Sequence, residues 1–417
     1  MIIDTKYGKI SGIEKKNSNV YLGIPYAQSP VGPLRWKAPR PCKAWEGVLD
    51  ANREPPRSMQ VPRVPGSMAD KEFGGGVFRC SEDSLTLNVW VPKNAAGKKL
   101  PVAVWIHGGV FLRGFANERE YDGTALNESG VILVSVNYRL GAFGFLAHPW
   151  LTAEAGTSGN YGILDQIASL KWVQENIAAF GGNPDNVTVF GQSAGAMSVL
   201  TLISSPLTKG LFCKAILQSG LGLDADVPLI DGEADGVDFA ALAGASSLEE
   251  LRALPAEQVL ELSEKITALR SAAGRHLAYV PLIDGKVLPG GYRTQRGAIP
   301  DMPLMVGSTK DDIGAPGQLY AGAEAFAHDI SARHQSGVYV YSFVHPLPGD
   351  DSGAFHSGEL WYMFGSLPNC WRPFTPVDYE LSARMVKSWT DFMKSGNPGW
   401  PCYTQEHPHV QILDTEE

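Results

Sequence analysis

A serine that could act as a nucleophile stands at position 193, inside the sequence Gly-Gln-Ser-Ala-Gly of residues 191–195. A serine hydroxyl attacks a carbonyl efficiently only when a base accepts its proton and hydrogen-bond donors stabilise the oxyanion that forms. The apolar run before it, residues 187–190, is typical of a strand, and the residues after it favour a helix. The two glycines would let the strand bend sharply into that helix. The pattern predicts a nucleophile elbow at Ser193, with the N–H of Ala194 as an oxyanion donor.

A glycine pair further upstream could supply more donors. Gly108 and Gly109 directly follow the apolar run 101–107, and Val110 comes next. Glycines just past a strand can turn backbone N–H groups toward a ligand, which would complete an oxyanion hole. A plain glycine-rich turn is the alternative reading of these residues alone.

A base and an orienting carboxylate are expected after the serine, in the chain order Ser, acid, His. Asp311 and Asp312 follow the predicted strand that ends at Gly307, which places them at the same sheet edge as Ser193. Chain order alone leaves six candidates for the base: His328, His334, His345, His356, His407 and His409.

The elements that must position these groups are short β-branched runs alternating with helical patterns. We predict strands at residues 85–92, 101–107, 131–138, 187–190, 213–219, 302–307 and 338–344. Near-continuous apolar runs suit strands buried on both faces, and alternation with helices predicts a mostly parallel sheet flanked by helices. No repeat or linker divides the sequence, so we predict a single α/β domain over residues 1–417.

Helices are predicted where apolar residues recur at helical spacing. One spans residues 162–180 and ends at a glycine pair, and another ends at Gly396. A capping box at Ser247 opens a third helical segment, which Pro255 should split in two. The stretch 53–80 is rich in Pro, Gly and Arg, and we predict a long surface loop there.

Composition narrows the class of protein. The 417 residues carry a net charge of −9 and lack a basic cluster, which argues against nucleic acid as a partner. We see neither a leader-like amino terminus nor an apolar run long enough for a membrane span. The five cysteines, without metal-ligand spacing, suggest neither a zinc site nor a disulfide framework. We expect a cytoplasmic protein that needs no metal or organic cofactor and does not bind a membrane.

Seven segments together resemble the type B carboxylesterase family, the cholinesterase-like branch of the α/β-hydrolases. They occur in order along the chain: YLGIPYAQSPVGPLRW (21–36), SEDSLTLNVWVP (81–92), PVAVWIHGGVF (101–111), VSVNYRLGAFGFL (134–146), GNYGILDQ (159–166), NVTVFGQSAG (186–195) and GAFHSGELWYMFG (353–365). The resemblance implies an α/β-hydrolase fold, ester hydrolysis and a small-molecule ester as substrate. The oligomeric state is left open.

Roles follow from the resemblance position by position. It makes Ser193 the nucleophile, His356 the general base and acid, and Asp312 the orienting acid. It matches Gly109, Val110 and Ala194 to the oxyanion-hole backbone, with Gly108 beside them. It also implies a supporting serine at Ser219 and two structural ion pairs, Arg35 with Glu82 and Arg139 with Asp165.

Several residues depart from the family's pattern. Asp312 stands where a glutamate is usual, and Asp311 is the alternative acid. Gln192 replaces the glutamate of cholinesterases, which argues against a cationic choline ester, and Val110 should crowd the alcohol side of the site. Ser84 replaces a cysteine of secreted relatives, consistent with a reducing compartment. Only 44 residues separate Asp312 from His356, which predicts a reduced helical cap.

The leading hypothesis is a serine carboxylesterase acting through an acyl-enzyme, with short-chain or aryl esters as substrates. A feruloyl-type esterase, an amidase or a thioesterase would use the same triad and is the alternative. A non-catalytic, adhesion-type relative is disfavoured, because such relatives lose the serine or the histidine and this chain keeps both.

Overall fold

Seventeen strands are present in the computed structural model, which describes residues 2–74, 78–223, 226–275, 277–292 and 298–415. They are β1 (Ile2–Thr5), β2 (Gly8–Ser11), β3 (Ile13–Glu14), β4 (Ser18–Pro25), β5 (Val48–Asp50), β6 (Arg57–Ser58), β7 (Cys80–Ser81), β8 (Thr86–Pro92), β9 (Leu100–Ile106), β10 (Ile132–Val136), β11 (Gly182–Gln192), β12 (Lys214–Gln218), β13 (Val227–Pro228), β14 (Leu282–Ile283), β15 (Leu304–Thr309), β16 (Val338–Phe343) and β17 (Val410–Leu413).

Ten of these strands form the central sheet, in the order β17-β16-β15-β12-β11-β9-β10-β8-β4-β3. The pairs from β17 through to β10 are parallel, and the pairs from β10 to β3 are antiparallel. The predicted mostly parallel sheet is confirmed, and each of the seven predicted strands belongs to it. The edge strands β3 and β17 and the strand β4 beside β3 were not predicted.

Helices cover both faces of this sheet. They are α1 (Met68–Phe73), α2 (Thr124–Glu128), α3 (Gly141–Phe145), α4 (Pro149–Ala155), α5 (Tyr161–Asn176), α6 (Ala194–Ser204), α7 (Leu229–Ala243), α8 (Leu248–Ala253), α9 (Ala256–Ala272), α10 (Gln318–Ser331), α11 (Glu359–Met363) and α12 (Pro376–Ser395), with short 3₁₀ turns between them. Side chains alternate along each strand, so β9 contributes Val104 to one hydrophobic core and Trp105 to the other. The first core includes α5, α6 and α10, and the second includes α2, α11 and α12.

The predicted helices form where the apolar spacing placed them. Helix α5 continues as a 3₁₀ turn to Phe180, and Gly181 ends it in the left-handed conformation with φ 87°. Gly396 ends α12 in the same way, with φ 83°. Pro255 separates α8 from α9 as predicted. The capping box is half formed: Ser247 accepts from the N–H of Glu250, whose carboxylate binds Ser246 instead.

The prediction of a surface loop at residues 53–80 was wrong in part. The stretch contains β6 and α1, and several of its side chains are buried. Gln60 exchanges two hydrogen bonds with the backbone of Gly114, at 2.9 and 3.0 Å, and Glu72 pairs with Arg372. These long-range partners order a segment that has no periodicity of its own. Residues 75–77 of this stretch lie outside the described residues.

The two predicted ion pairs are present and buried. Arg35 binds both carboxylate oxygens of Glu82 at 2.6 Å, and Arg139 binds both oxygens of Asp165 at 2.8 Å.

Within the described ranges, no helix is both long enough and apolar enough to cross a membrane.

Candidate active site

Ser193 lies at the tip of a sharp turn between β11 and α6. Its backbone has φ 57° and ψ −127°, a conformation that L-residues rarely adopt and that is held only when the surroundings determine it. A Cβ atom added to Gly191 would come within 2.7 Å of the carbonyl oxygen of Ile106, and one on Gly195 would collide with the same oxygen. Only glycine fits at both positions, so the strand can cross closely over the helix and present the serine.

The glycine pair after β9 lies directly against this serine. A Cβ atom on Gly108 would be 3.0 Å from the Cβ of Ser193. Gly109 and Val110 both have positive φ values, 105° and 53°. Among the described residues, no acceptor binds the N–H of Gly109 or of Val110, and the N–H of Ala194 is at the start of α6. These free donors are available to an oxyanion.

Asp312 is the carboxylate that contacts His356. Its Oδ1 faces the Nδ1 atom of His356 in a short hydrogen bond. Asp312 also accepts from the backbone N–H groups of Thr309 and Ile313, at 3.2 and 2.9 Å. Burial raises the pKa of Asp312, but the hydrogen bond and charge of His356 outweigh it and Ser219 adds to their effect, so the pKa is below its ordinary value.

Asp311, the alternative acid, makes different contacts. Its carboxylate accepts from the N–H of Ala354 at 2.8 Å, and its own N–H donates to the carbonyl of Ala354 at 3.0 Å. Asp311 therefore ties the segment that carries His356 to the end of β15 without contacting the imidazole. In the described part of the chain, the other five candidate histidines make no contact with Asp312 or Ser193.

Gln192 has a contact that the sequence did not predict. Its side-chain amide nitrogen lies 3.2 Å from Nε2 of His356, the ring nitrogen opposite Asp312. No hydrogen bond joins the hydroxyl of Ser193 to His356 within the described residues, and catalytic hydrogen bonds are often loose until substrate is bound. The same amide nitrogen is 3.5 Å from Nδ1, so the glutamine lies beside the imidazole ring and not in line with Nε2.

A cavity of about 300 Å³ opens above the serine, and its wall includes Ser193, His356, Gly108, Gly109 and Val110. Residues of the stretch that was predicted as a surface loop complete the wall, together with charged residues that follow β9. The added lining consists of Arg63, Ala69, Phe73, Arg113, Glu118, Glu120 and Leu360, among others. Isolated charges in a stretch without periodicity carried no signal that could have placed them here.

Two buried groups lie behind the histidine and its acid. Ser219 has φ 50°, and its N–H donates to the carbonyl of Gly307 at 2.8 Å. Glu359 is fully buried and accepts from the Gln218 side chain at 3.3 Å. Burial, followed by the negative charge of Asp312, raises the pKa of Glu359 to about 8. The carboxyl group of Glu359 is therefore largely protonated at neutral pH.

The sheet order, the strand-turn-helix at the serine and the carboxylate after β15 define an α/β-hydrolase fold. The model of the carboxylesterase family matches residues 1–324 and 317–417, the whole length of the chain. The chain belongs to the carboxylesterase family, a family of carboxylic ester hydrolases. The resemblance read from the sequence is confirmed.

Individual relatives agree with this membership. The para-nitrobenzyl esterase of Bacillus subtilis (strain 168) is 36% identical over 476 aligned positions, which cover 100% of this chain and 95% of the relative. A solved structure of a PNB esterase matches with a TM-score of 0.90 at 35% identity, covering 100% of this chain and 96% of that one. The alignment is longer than the 417 residues of this chain, so the relative carries segments that this chain lacks.

Another relative matches over a shorter stretch of the chain. The fumonisin B1 esterase of Sphingopyxis macrogoltabida is 38% identical over 321 residues, which cover 75% of this chain and 56% of that protein.

Proposed function

We propose that the protein is a serine carboxylesterase with Ser193 as nucleophile, His356 as general base and acid, and Asp312 as orienting acid. The observation that carries the proposal is the hydrogen bond from His356 to Asp312 at the wall of the cavity that exposes Ser193. Asp312 holds the imidazole with Nδ1 protonated, which leaves Nε2 free to accept a proton.

The reaction would proceed in two halves. The Ser193 oxygen attacks the ester carbonyl, its proton passes to Nε2 of His356, and the N–H groups of Gly109, Val110 and Ala194 stabilise the oxyanion. His356 then donates the proton to the leaving alkoxide oxygen. The alcohol departs, and the acyl group stays bound to Ser193 as an acyl-enzyme. Water, deprotonated by His356, attacks the acyl-enzyme, and the carboxylic acid and Ser193 are released.

Gln192 borders the imidazole of His356. Its amide nitrogen lies 3.2 Å from Nε2 and 3.5 Å from Nδ1, beside the ring. Because the glutamine side chain is neutral, it adds no negative charge that would favour a cationic substrate.

Short-chain and aryl esters fit the cavity best. Its volume of about 300 Å³ is at the small end of the range for small-molecule sites, and the wall includes Phe73, Ile313 and Leu360. The relatives reported above are named as esterases, which favours esters over the amides or thioesters that the same triad could attack.

We also propose a cytoplasmic location and a single domain over residues 1–417. The five cysteines, all in the described part of the chain, are free thiols, which suits a reducing compartment. The central sheet draws strands from residues near both termini, β3 and β17, which supports one domain.

The test is hydrolysis of p-nitrophenyl esters of increasing acyl length by the wild type and by Ser193→Ala. Loss of a triad nucleophile typically costs about 10⁶ in kcat, so the variant should be inactive on every ester. Ser271→Ala, at an exposed serine of α9, is the matched control and should retain wild-type rates. A Ser193→Ala enzyme with wild-type turnover would refute the proposal, and faster turnover of p-nitroanilides than of esters would instead favour an amidase.

A further inference from the structure

Arg113 lies in the wall of the cavity, and none of the described residues forms an ion pair with its guanidinium group. It follows the oxyanion loop, and its N–H donates to the carbonyl of Gly109 at 3.0 Å. Its side chain turns back over that loop, with Cγ 3.2 Å from the position that a Cβ on Gly109 would occupy. Its Nε atom is buried without an acceptor, and no described residue forms an ion pair or side-chain hydrogen bond with it. Arg113 itself is half-buried, and a cation in a cavity wall without an ion-pair partner can bind an anionic group of a ligand.

The other charges of the wall cancel. Arg63 binds Glu118 at 2.6 Å and also donates to the carbonyls of Phe73 and Gly74. Burial and the negative charge of Glu118 raise the pKa of Glu120 well above its ordinary value, which favours the neutral carboxyl group. Gln192 is neutral, and His356 is paired with Asp312. Among the described lining residues, Arg113 is the arginine without an ion-pair partner.

The rest of the wall is largely apolar. Ala69, Phe73, Ile313 and Leu360 contribute hydrocarbon surface between the serine and the charged residues. An apolar cavity with one cation suits a ligand with a short hydrocarbon chain that carries one negative group. The planar fork of a guanidinium matches the two oxygens of a carboxylate.

We propose that Arg113 binds a carboxylate of the substrate, so that esters carrying a free carboxylate, such as monoesters of dicarboxylic acids, are preferred over neutral esters. The inference rests on the proposed function, because it concerns the substrate of the same serine. Hydrolysis of such an ester with water yields the alcohol and the free dicarboxylic acid.

The experiment compares two esters of matched shape. Mono-p-nitrophenyl adipate carries the carboxylate, and in p-nitrophenyl isooctanoate two methyl groups replace its two oxygens. The ratio of kcat/KM for the charged ester to that for the neutral ester should exceed one in the wild type. Arg113→Gln should lower the ratio by roughly 10- to 100-fold, the factor that corresponds to a hydrogen bond with a charged group. Arg113→Lys, which keeps the charge but not the fork, should give an intermediate ratio.

A second pair asks whether the carboxylate lies on the alcohol side of the ester. One ester is the acetate of a hydroxy acid, and the other is the acetate of the branched alcohol of the same shape. The rate at which acetic acid is released measures the hydrolysis of each. Dependence of either ratio on Arg113 supports the proposal.

The control is Arg333→Gln, which removes the same charge from an exposed position at the end of α10 and should leave both ratios unchanged. Each ratio compares two esters on the same enzyme preparation. A lower fraction of folded enzyme therefore reduces both kcat/KM values equally and leaves the ratio unchanged. Ratios in Arg113→Gln within twofold of the wild type for both pairs would overturn the inference. An enzyme that hydrolyses none of these esters would contradict the proposed function instead.

Discussion

Two adjacent aspartates at the end of β15 have different partners. Asp312 contacts the imidazole of His356, whereas Asp311 binds the backbone of Ala354. Ala354 lies two residues before His356 in the sequence. The shorter side chain of aspartate, compared with the family's usual glutamate, still reaches the histidine. Asp312 is therefore the carboxylate that we expect to control the imidazole.

Substitution separates the two aspartates. Asp312→Asn should lower kcat by up to about 10⁴, because an amide stabilises the wrong imidazole tautomer. Asp311→Asn, the matched variant one residue away, should cost far less, since its role is to hold the segment that carries His356. Steady-state kinetics on a p-nitrophenyl ester checks both variants, and a larger loss in Asp311→Asn would mean that the acid has been assigned to the wrong residue.

Glu359 makes the stability of the protein depend on pH. Its pKa is about 8 in the folded protein and lies near 4.5 in an unfolded chain. Between these values the folded state holds a proton that the unfolded state has lost. Its contribution to stability is therefore intact below pH 4.5 and is lost progressively as pH rises toward 8.

Glu359→Gln should remove this dependence. The free energy of unfolding of the variant, minus that of the wild type, should increase from pH 5 to pH 8. The increase should be about 1.4 kcal/mol for each pH unit. Urea unfolding across this range measures the difference, with the exposed Glu406→Gln as control. Parallel curves for Glu359→Gln and the wild type would show that the buried carboxyl is not protonated.

At the scale of elements, a buried arginine helps to hold the segment with α1 in place. Arg372 is fully buried, binds Glu72 of α1 at 2.7 Å, and also binds Asp350 at 2.9 Å. The same segment provides Arg63 and Phe73 to the wall of the cavity. The pairing of Glu72 with Arg372 therefore links the shape of the site to the region before α12.

Arg372→Met should lower the free energy of unfolding by about 3–5 kcal/mol, because it leaves the Glu72 carboxylate buried with the Trp371 indole as a donor but without a compensating positive charge. The double variant Glu72→Met/Arg372→Met should recover part of this loss, since neither charge is then left unpaired. Urea unfolding of the three proteins measures the coupling. Equal stability of Arg372→Met and the wild type would mean that the ion pair does not hold the segment.

The elements that depend on local pattern were predictable from sequence, and those that depend on distant partners were not. Apolar runs mark the strands β8 to β16 of the central sheet. The elbow at Ser193 is marked by glycines, which are required where the strand passes close to the helix. The segment with α1 depends on Arg372, 300 residues from Glu72 in sequence. The contact of Gln192 with His356 likewise exists only once the fold is complete.

At the scale of the whole molecule, the thiols are distributed unevenly. Cys402 is exposed, and the other four cysteines are partly buried. Burial raises the pKa of Cys42 to about 12 and that of Cys370 to about 11, so little reactive thiolate is present at neutral pH.

A thiol reagent such as DTNB should therefore modify one cysteine rapidly and the other four slowly in the native protein. All five should react at once in denaturant, because each is a free thiol. Cys402→Ser should remove the rapid phase alone. Fewer than five reactive thiols in the denatured protein would reveal a disulfide and argue against the reducing compartment that we propose.

The membership of the carboxylesterase family concerns the whole molecule. The family model and the para-nitrobenzyl esterase of Bacillus subtilis (strain 168) both match this chain over its entire length. The central claim that follows is that Ser193 forms a covalent acyl-enzyme.

Labelling with diethyl p-nitrophenyl phosphate tests that claim most directly. The Ser193 oxygen should displace p-nitrophenolate from phosphorus and retain the diethylphosphoryl group, because the dead-end adduct mimics the acyl-enzyme. Mass spectrometry of the digested protein should find one equivalent of this group on the peptide that contains Ser193, with parallel loss of esterase activity and no adduct in Ser193→Ala. Loss of activity with the group on another residue, or undiminished labelling of Ser193→Ala, would contradict the assignment of the nucleophile.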